Sequence, residues 1–227
     1  MLVLSSCSPS GSATAPTISV PPPEAARATN AATLPSIVSP PTGLPGLAST
    51  DPFCAAWAAY AGTVQALGVA ASFGNLPTDR LASLELAAAP RLSEVTSLID
   101  SSWPAELASE RTVVIDERIG PYARRASRAV DALTAAGLTT DELSLLRSAW
   151  QSSLAHQNPD AAVIELPGVP AELQAKIDSA ATAYDTVVTP FAEDPSLSVE
   201  GVSAPATDQY LAEHCPDLAS IGVGDAL

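Results

Sequence analysis

Reactive side chains are scarce in this chain: among 227 residues there are 2 histidines and 3 cysteines. His156 and His214 stand far apart, and neither belongs to H-E-x-x-H or another paired ligand spacing, so no metal is expected. Glu213-His214-Cys215 makes a poor thiolate–imidazole pair, because adjacent residues on a helix point in different directions. No Gly-rich phosphate loop, no G-x-S-x-G nucleophile elbow and no C-x-x-C pair occurs, so no cofactor is expected and redox catalysis has little support. Aromatic residues make up only 4% of a chain that is 47% hydrophobic, so the apolar mass comes from Ala, Leu and Val. That composition favours helices, because Ala loses no side-chain entropy in a helix and Leu loses little. Cations are few as well: 10 Lys and Arg against 25 Asp and Glu, a formal charge of −15. Such a surface repels nucleic-acid backbones and anionic headgroups, which excludes nucleic acid as a partner.

What is present begins with Cys7. Leu4-Ser5-Ser6-Cys7 resembles the lipobox of bacterial lipoproteins: an aliphatic residue, two small ones, then a cysteine. The resemblance implies that Cys7 receives diacylglycerol and becomes the first residue after cleavage. Only six residues precede Cys7, with no positive stretch, so the expected start of the signal lies upstream of Met1. From Ser8 to about Thr50 the chain is Pro, Ser, Thr, Ala and Gly with few exceptions, and Glu24 and Arg27 are its only charges. It lacks the periodicity needed to bury a face, which predicts a disordered tether. Its reach is about 130 Å extended and roughly 35–40 Å as a coil. The lipobox and tether together are similar to exported lipoproteins of high-GC Gram-positive bacteria such as actinobacteria. That similarity covers only the first fifty or so residues and implies location, not activity.

Beyond the tether the apolar residues step by four and three. Asp51-Pro52 suits a helix start, and Phe53, Trp57, Tyr60, Val64 and Leu67 then share one face. Gly74-Asn75 and Pro77 are expected to end that helix. Thr78-Asp79 opens a second, with Leu81, Leu84 and Ala88 inward, an interruption at Pro90, and Leu92, Val95 and Ile99 resuming. A third begins near Pro104, with Ile115, Ile119, Tyr122, Ala126, Ala129 and Leu133 in step, a kink at Pro121 and a stop at Gly137. Thr139 and Glu142 form a capping box before Leu143, Leu146 and Trp150. Pro170 opens a fifth segment carrying Leu173, Ile177, Ala180, Tyr184, Val187 and Phe191. A short last helix from Thr207 carries Tyr210, Leu211 and Cys215. Val163-Ile164-Glu165-Leu166 is too short to argue for a strand. The expected architecture is all-α: an up-and-down helical bundle over 51–218, after the signal remnant 1–7 and tether 8–50, and before a tail 219–227. Phe53 to Thr78 has no charge and is long enough to span a bilayer. Its larger apolar groups lie on one face, however, which predicts a buried helix of a folded domain.

Two features of the helical part invite a role. Cys54 and Cys215 bracket it, and in an exported protein a bond between them would tie its ends together, leaving Cys7 for lipid; two separate buried thiols are the alternative. Arg118, Arg125 and Arg128 fall near one side of the third helix, where guanidinium forks suit a carboxylate or phosphate. Ion pairing to neighbouring acids is the plainer reading of the same residues. The sequence therefore implies an extracytoplasmic lipoprotein at the outer face of the cytoplasmic membrane. Its helical domain is a non-catalytic module for an envelope protein or small ligand, with the membrane as partner through the lipid on Cys7. The alternative is a cell-envelope enzyme whose site sequence does not reveal.

Overall fold

The computed structural model describes residues 43–73, 76–157, 164–198, 201–215 and 217–218. Cys7, the tether up to residue 42, Gly74-Asn75, Val163 and the tail 219–227 lie outside them. Among the described residues six helices form the bundle: α1 (Pro52–Phe73), α2 (Thr78–Ser101), α3 (Gly120–Ala135), α4 (Thr140–His156), α5 (Ala171–Asp185) and α6 (Pro205–His214). No strand occurs among the described residues, and Ile164-Glu165-Leu166 is irregular. The fold is an all-α helical bundle. Two of these helix starts, those of α1 and α4, follow capping chemistry. Asp51 Oδ1 accepts from the backbone N–H groups of Phe53 at 2.8 Å and Cys54 at 3.0 Å. Thr139 and Glu142 exchange the reciprocal bonds of a capping box at the start of α4.

The centre of the molecule is α2, which packs against α1, α3, α4 and α5. Glu85 through Pro90 are all buried. Consecutive residues step 100° around a helix, so that run covers the whole circumference. The expected inward stripe of Leu81, Leu84 and Ala88 is thus too narrow: Leu81 and Leu84 are half-buried, while Leu86 and Ala89 are fully enclosed. The expected interruption at Pro90 is also corrected, since α2 runs through it unbroken. Proline removes one backbone bond, and packing on every side of α2 offsets that loss. Residues Ala56 to Thr63 of α1 are likewise buried throughout. That helix is long and apolar enough to cross a membrane, yet most of it is buried inside the bundle.

Between Trp103 and α3 the chain makes a 3-10 turn at Ala105–Leu107 and then a π-helical stretch, Val113–Ile119. Pro121 follows at the start of α3. It has no N–H to give Glu117, and its ring crowds that carbonyl. The helix widens ahead of the proline instead of kinking at it. The widening turns Val114 and Arg118 inward and leaves Ile115, expected in the core, half-buried. Two further expectations shift. Helix α5 stops at Asp185, so Val187 leaves the apolar stripe and is 80% exposed. The folded part also starts before Asp51, because Leu44 is buried and donates its N–H to the carbonyl of Leu154 at 2.8 Å. Gly62 makes room for it: a Cβ there would lie 2.2 Å from Leu44 Cδ2.

Cys54 and Cys215 form the expected disulfide, with Cα atoms 5.4 Å apart and both side chains buried. The bond joins the start of α1 to the end of α6, and the Phe53 and Tyr210 rings meet beside it at 5.8 Å. The scarce aromatic residues are concentrated here. Ring contacts run from Tyr210 through Phe53, Trp57, Tyr60 and Tyr122 to Phe191, joining α6, α1, α3 and the segment after α5.

Candidate functional site

The three arginines proposed from sequence sit on or beside one helix but face different neighbours. Arg118, in the π-helical stretch, is buried, and its Nη1 donates to Asp208 Oδ1 on α6 at 2.6 Å. Its Nη2 donates to the Val202 carbonyl at 3.3 Å. Eight residues earlier, Glu110 accepts from the N–H groups of Ala206 at 3.0 Å and Thr207 at 2.8 Å, and from the Thr207 hydroxyl at 2.8 Å. Desolvation acts to raise the Glu110 pKa, but these donors outweigh it and hold the carboxyl below its usual range. Together Arg118 and Glu110 fasten α6, by its side and by its first turn, to the chain ahead of α3.

Arg125 is 3% exposed and lies among three carboxylate and carbonyl groups. Its Nε and Nη2 meet Glu85 of α2 in a fork, at 2.6 and 2.8 Å. Nη1 donates to Asp194 Oδ2 at 2.7 Å and Nη2 to the Thr189 carbonyl at 2.9 Å, while the guanidinium lies 5.4 Å from the centre of the Phe191 ring. Tyr184 completes the Glu85 shell by donating its hydroxyl at 2.7 Å. Burial, followed by the charge of Glu85, pushes the Tyr184 phenol far above its usual range, so it remains a donor. Burial would lower the Arg125 pKa, but Glu85 and Asp194 keep it raised. For Asp194, burial is again the largest influence and acts upward. Hydrogen bonds from Ser196 and the contact with Arg125 overcome it, leaving the carboxyl below its usual range. One arginine thereby pins the segment between α5 and α6, at Thr189, Phe191 and Asp194, against α2 and α3. The cavity beside Glu85 and Arg125 measures about 20 Å3.

Arg128 differs from both. It is exposed, has no carboxylate partner among the described residues, and lines an open groove of about 540 Å3 between α3 and α5. The groove is lined by Ala132 and Ala135 of α3, by Ala136 just past its end, and by Ala180 and Ala183 of α5. Alanine side chains are too short to fill the space between two helices that both rest on α2. Two other hollows are more polar at their rims. One of about 370 Å3 lies between α2 and the start of α5, beside Arg80 and Gln174. The other, about 380 Å3, lies between the end of α1 and the segment Phe191–Ser198.

The arginines thus do not converge on one anion site; two bind the fold's own acids and one faces a groove. The histidines do not converge either. His156 Nδ1 lies 2.8 Å from the Ser152 carbonyl of its own helix, and the His214 ring stacks on Tyr210 at 4.2 Å. The sulfur of Cys215 is committed to the disulfide, which removes any thiolate role beside His214. Among the described residues no group of three or more His, Cys, Asp or Glu is arranged to hold a metal. Sequence reasoning missed Glu85, Asp194 and Tyr184, which lie 40, 69 and 59 positions from Arg125. The one local signal was an acid, Glu85, inside an otherwise apolar stretch, Leu84 to Pro90. No protein-family model, curated protein or solved structure matches the chain, so the site is read from its geometry alone.

Proposed function

We propose that the chain is a lipid-anchored module at the outer face of the cytoplasmic membrane that binds a ligand or partner without catalysing a reaction. The observation that carries the binding half is the open α3–α5 groove lined by Arg128, while Arg118 and Arg125 are neutralised by the fold's own carboxylates. Leu4-Ser5-Ser6-Cys7 and the proline-rich stretch behind it support the anchor. The buried disulfide is in keeping with an oxidising compartment, where such bonds persist. One observation favours an enzyme instead: Arg125 meets a buried acid, Glu85. The cavity there, about 20 Å3, holds about one water and leaves no room for a substrate.

Each half has its own test. Expressed with its full upstream signal, the wild type should partition into the detergent phase and Cys7→Ala into the aqueous phase; wild type in the aqueous phase overturns the anchor. Native mass spectrometry of protein released from envelopes should show a non-covalent adduct that Ala183→Trp, which fills the groove, removes. A ligand-free wild type, or an adduct indifferent to that substitution, overturns the binding role.

A further inference from the structure

We infer that the α3–α5 groove takes a single-chain amphiphile with a carboxylate head, its chain along the alanine floor and its head at Arg128. The inference rests on the binding role above and specifies the ligand's chemistry.

Charge is the first argument. Every lysine and arginine among the described residues except Arg124 and Arg128 has a carboxylate oxygen within 3.7 Å. In a molecule with a formal charge of −15, an arginine without an acid partner is conspicuous. Arg124 lies back along its own helix, its Nη1 3.0 Å from where a Cβ on Gly120 would stand. Arg128 alone stands unpaired beside an apolar groove, close enough to Tyr184 for its charge to act on that phenol. An acid-rich surface repels anions in general, so an anionic head has a favourable seat only where such a cation is free.

The second argument is the surface behind Arg128. Ala132 and Ala135 lie one and two turns further along α3, with Ala136 just past its end, opposite Ala180 and Ala183 of α5. Arg128 is the one charged side chain in the lining of this trough, and Ser179 and the buried, neutral Tyr184 are its other polar members. Val187 at its margin is 80% exposed, far more than any other large apolar residue described, the next being Leu98 at 42%. An acyl chain laid in the groove covers Val187 and the alanines together. The volume, about 540 Å3, is that of a small-molecule site. A protein partner needs several hundred Å2 of matching surface on each side, which a trough of this size does not supply by itself. A long-chain carboxylate meets both conditions, an apolar body and one anionic end.

The test uses the full chain carrying Cys7→Ala, which keeps the anchor lipid out of the assay. Dodecanoate, dodecanol and acetate are titrated below their aggregation limits by calorimetry, and octanoate and decanoate complete a length series. Dodecanoate should saturate at one site, acetate should not bind, and each methylene laid in the groove should tighten binding by up to about fourfold. Arg128→Gln should weaken dodecanoate by about 5- to 10-fold and leave dodecanol unchanged. Ala183→Trp should abolish both; Ala135→Trp, from the opposite wall, should do the same, and circular dichroism should show both variants still helical. Ala135 and Ala183 are exposed, so the fold tolerates the larger side chain. Dodecanol binding as tightly as dodecanoate, with both lost in Ala183→Trp, overturns the carboxylate head and leaves the groove as a binding site. No saturable binding, or binding untouched by either tryptophan, overturns the inference entirely. A concentration-dependent dimer that Ala183→Trp dissociates, without dodecanoate binding, assigns the groove to a second copy and overturns it too.

Discussion

Arg125 shows what a single buried side chain can organise. Its guanidinium joins Glu85 of α2, the Thr189 carbonyl, the Phe191 ring and Asp194, so one charge holds a segment with only short 3-10 turns against the bundle. Burying two charges is costly, and much of that cost returns when one partner is removed and the other remains. Arg125→Met should therefore lower the unfolding free energy by about 3–5 kcal/mol in urea titrations. Replacing Glu85 with Met as well should recover part of the loss; losses that simply add would contradict the uncompensated-charge argument. Asp194 adds a pH dependence of definite sign. Its folded pKa is depressed, so its contribution is complete above the ordinary carboxylate pKa of about 3.9 and disappears as pH falls through the lower folded value. The stability difference between wild type and Asp194→Asn should be constant from about pH 7 to pH 5 and shrink below about pH 4. A difference that grows on acidification would show that Asp194 is not the charged partner of Arg125.

Elements were legible where their signals are local. The Thr139–Glu142 box needs only residues three apart, and it stands as expected: Thr139 N donates to Glu142 at 2.8 Å, and Glu142 N to the Thr139 hydroxyl at 3.3 Å. Thr139→Ala should cost about 1 kcal/mol and fray the first turn of α4 in hydrogen exchange. Unchanged exchange at Glu142 and Leu143 would mean the cap does not hold that turn. Pro90 and Pro121 carry the same local signal and have different outcomes. Pro90 sits in a helix enclosed by four others and is carried through. Pro121 sits at a helix start, where widening the preceding turn costs little, and a π-helical stretch results. No reading of neighbours distinguishes them, because the difference is what packs around each proline. Val187 was misplaced for a related reason: the four-and-three spacing continues past the point where α5 ends.

At the scale of the whole molecule the disulfide closes the chain, joining residues 161 positions apart. By loop-closure entropy such a link stabilises by up to about 5 kcal/mol. Reduction should lower the melting temperature while leaving most of the helical circular dichroism, because the core around α2 does not depend on the bond. Loss of helicity in step with reduction would show that the bundle is not stable by itself. Both sulfurs are bonded, so alkylation of the unreduced, denatured protein should label neither Cys54 nor Cys215, and label at either would contradict the closure. The entry of the chain is also tied down, since Leu44 fills the space over Gly62 and bonds to Leu154. A pull on the chain at Leu44 therefore reaches α1 and α4 before it reaches the disulfide.

Sequence alone determined the helical class and most helix starts, and with export assumed it favoured a bond between Cys54 and Cys215 over two separate thiols. Periodicity, capping residues and cysteine number are properties of short stretches or of totals, and they survive without knowledge of neighbours. Only the tertiary structure decided that α2 is enclosed, that Leu44 belongs to the core, and that Arg118, Arg125 and Arg128 have three separate fates. Helical spacing places a side chain on a face, but the acids that meet Arg118 and Arg125 come from 40 to 90 positions away. Which arginine is neutralised and which remains free depends on the geometry that brings those carboxylates within reach, and packing alone sets it.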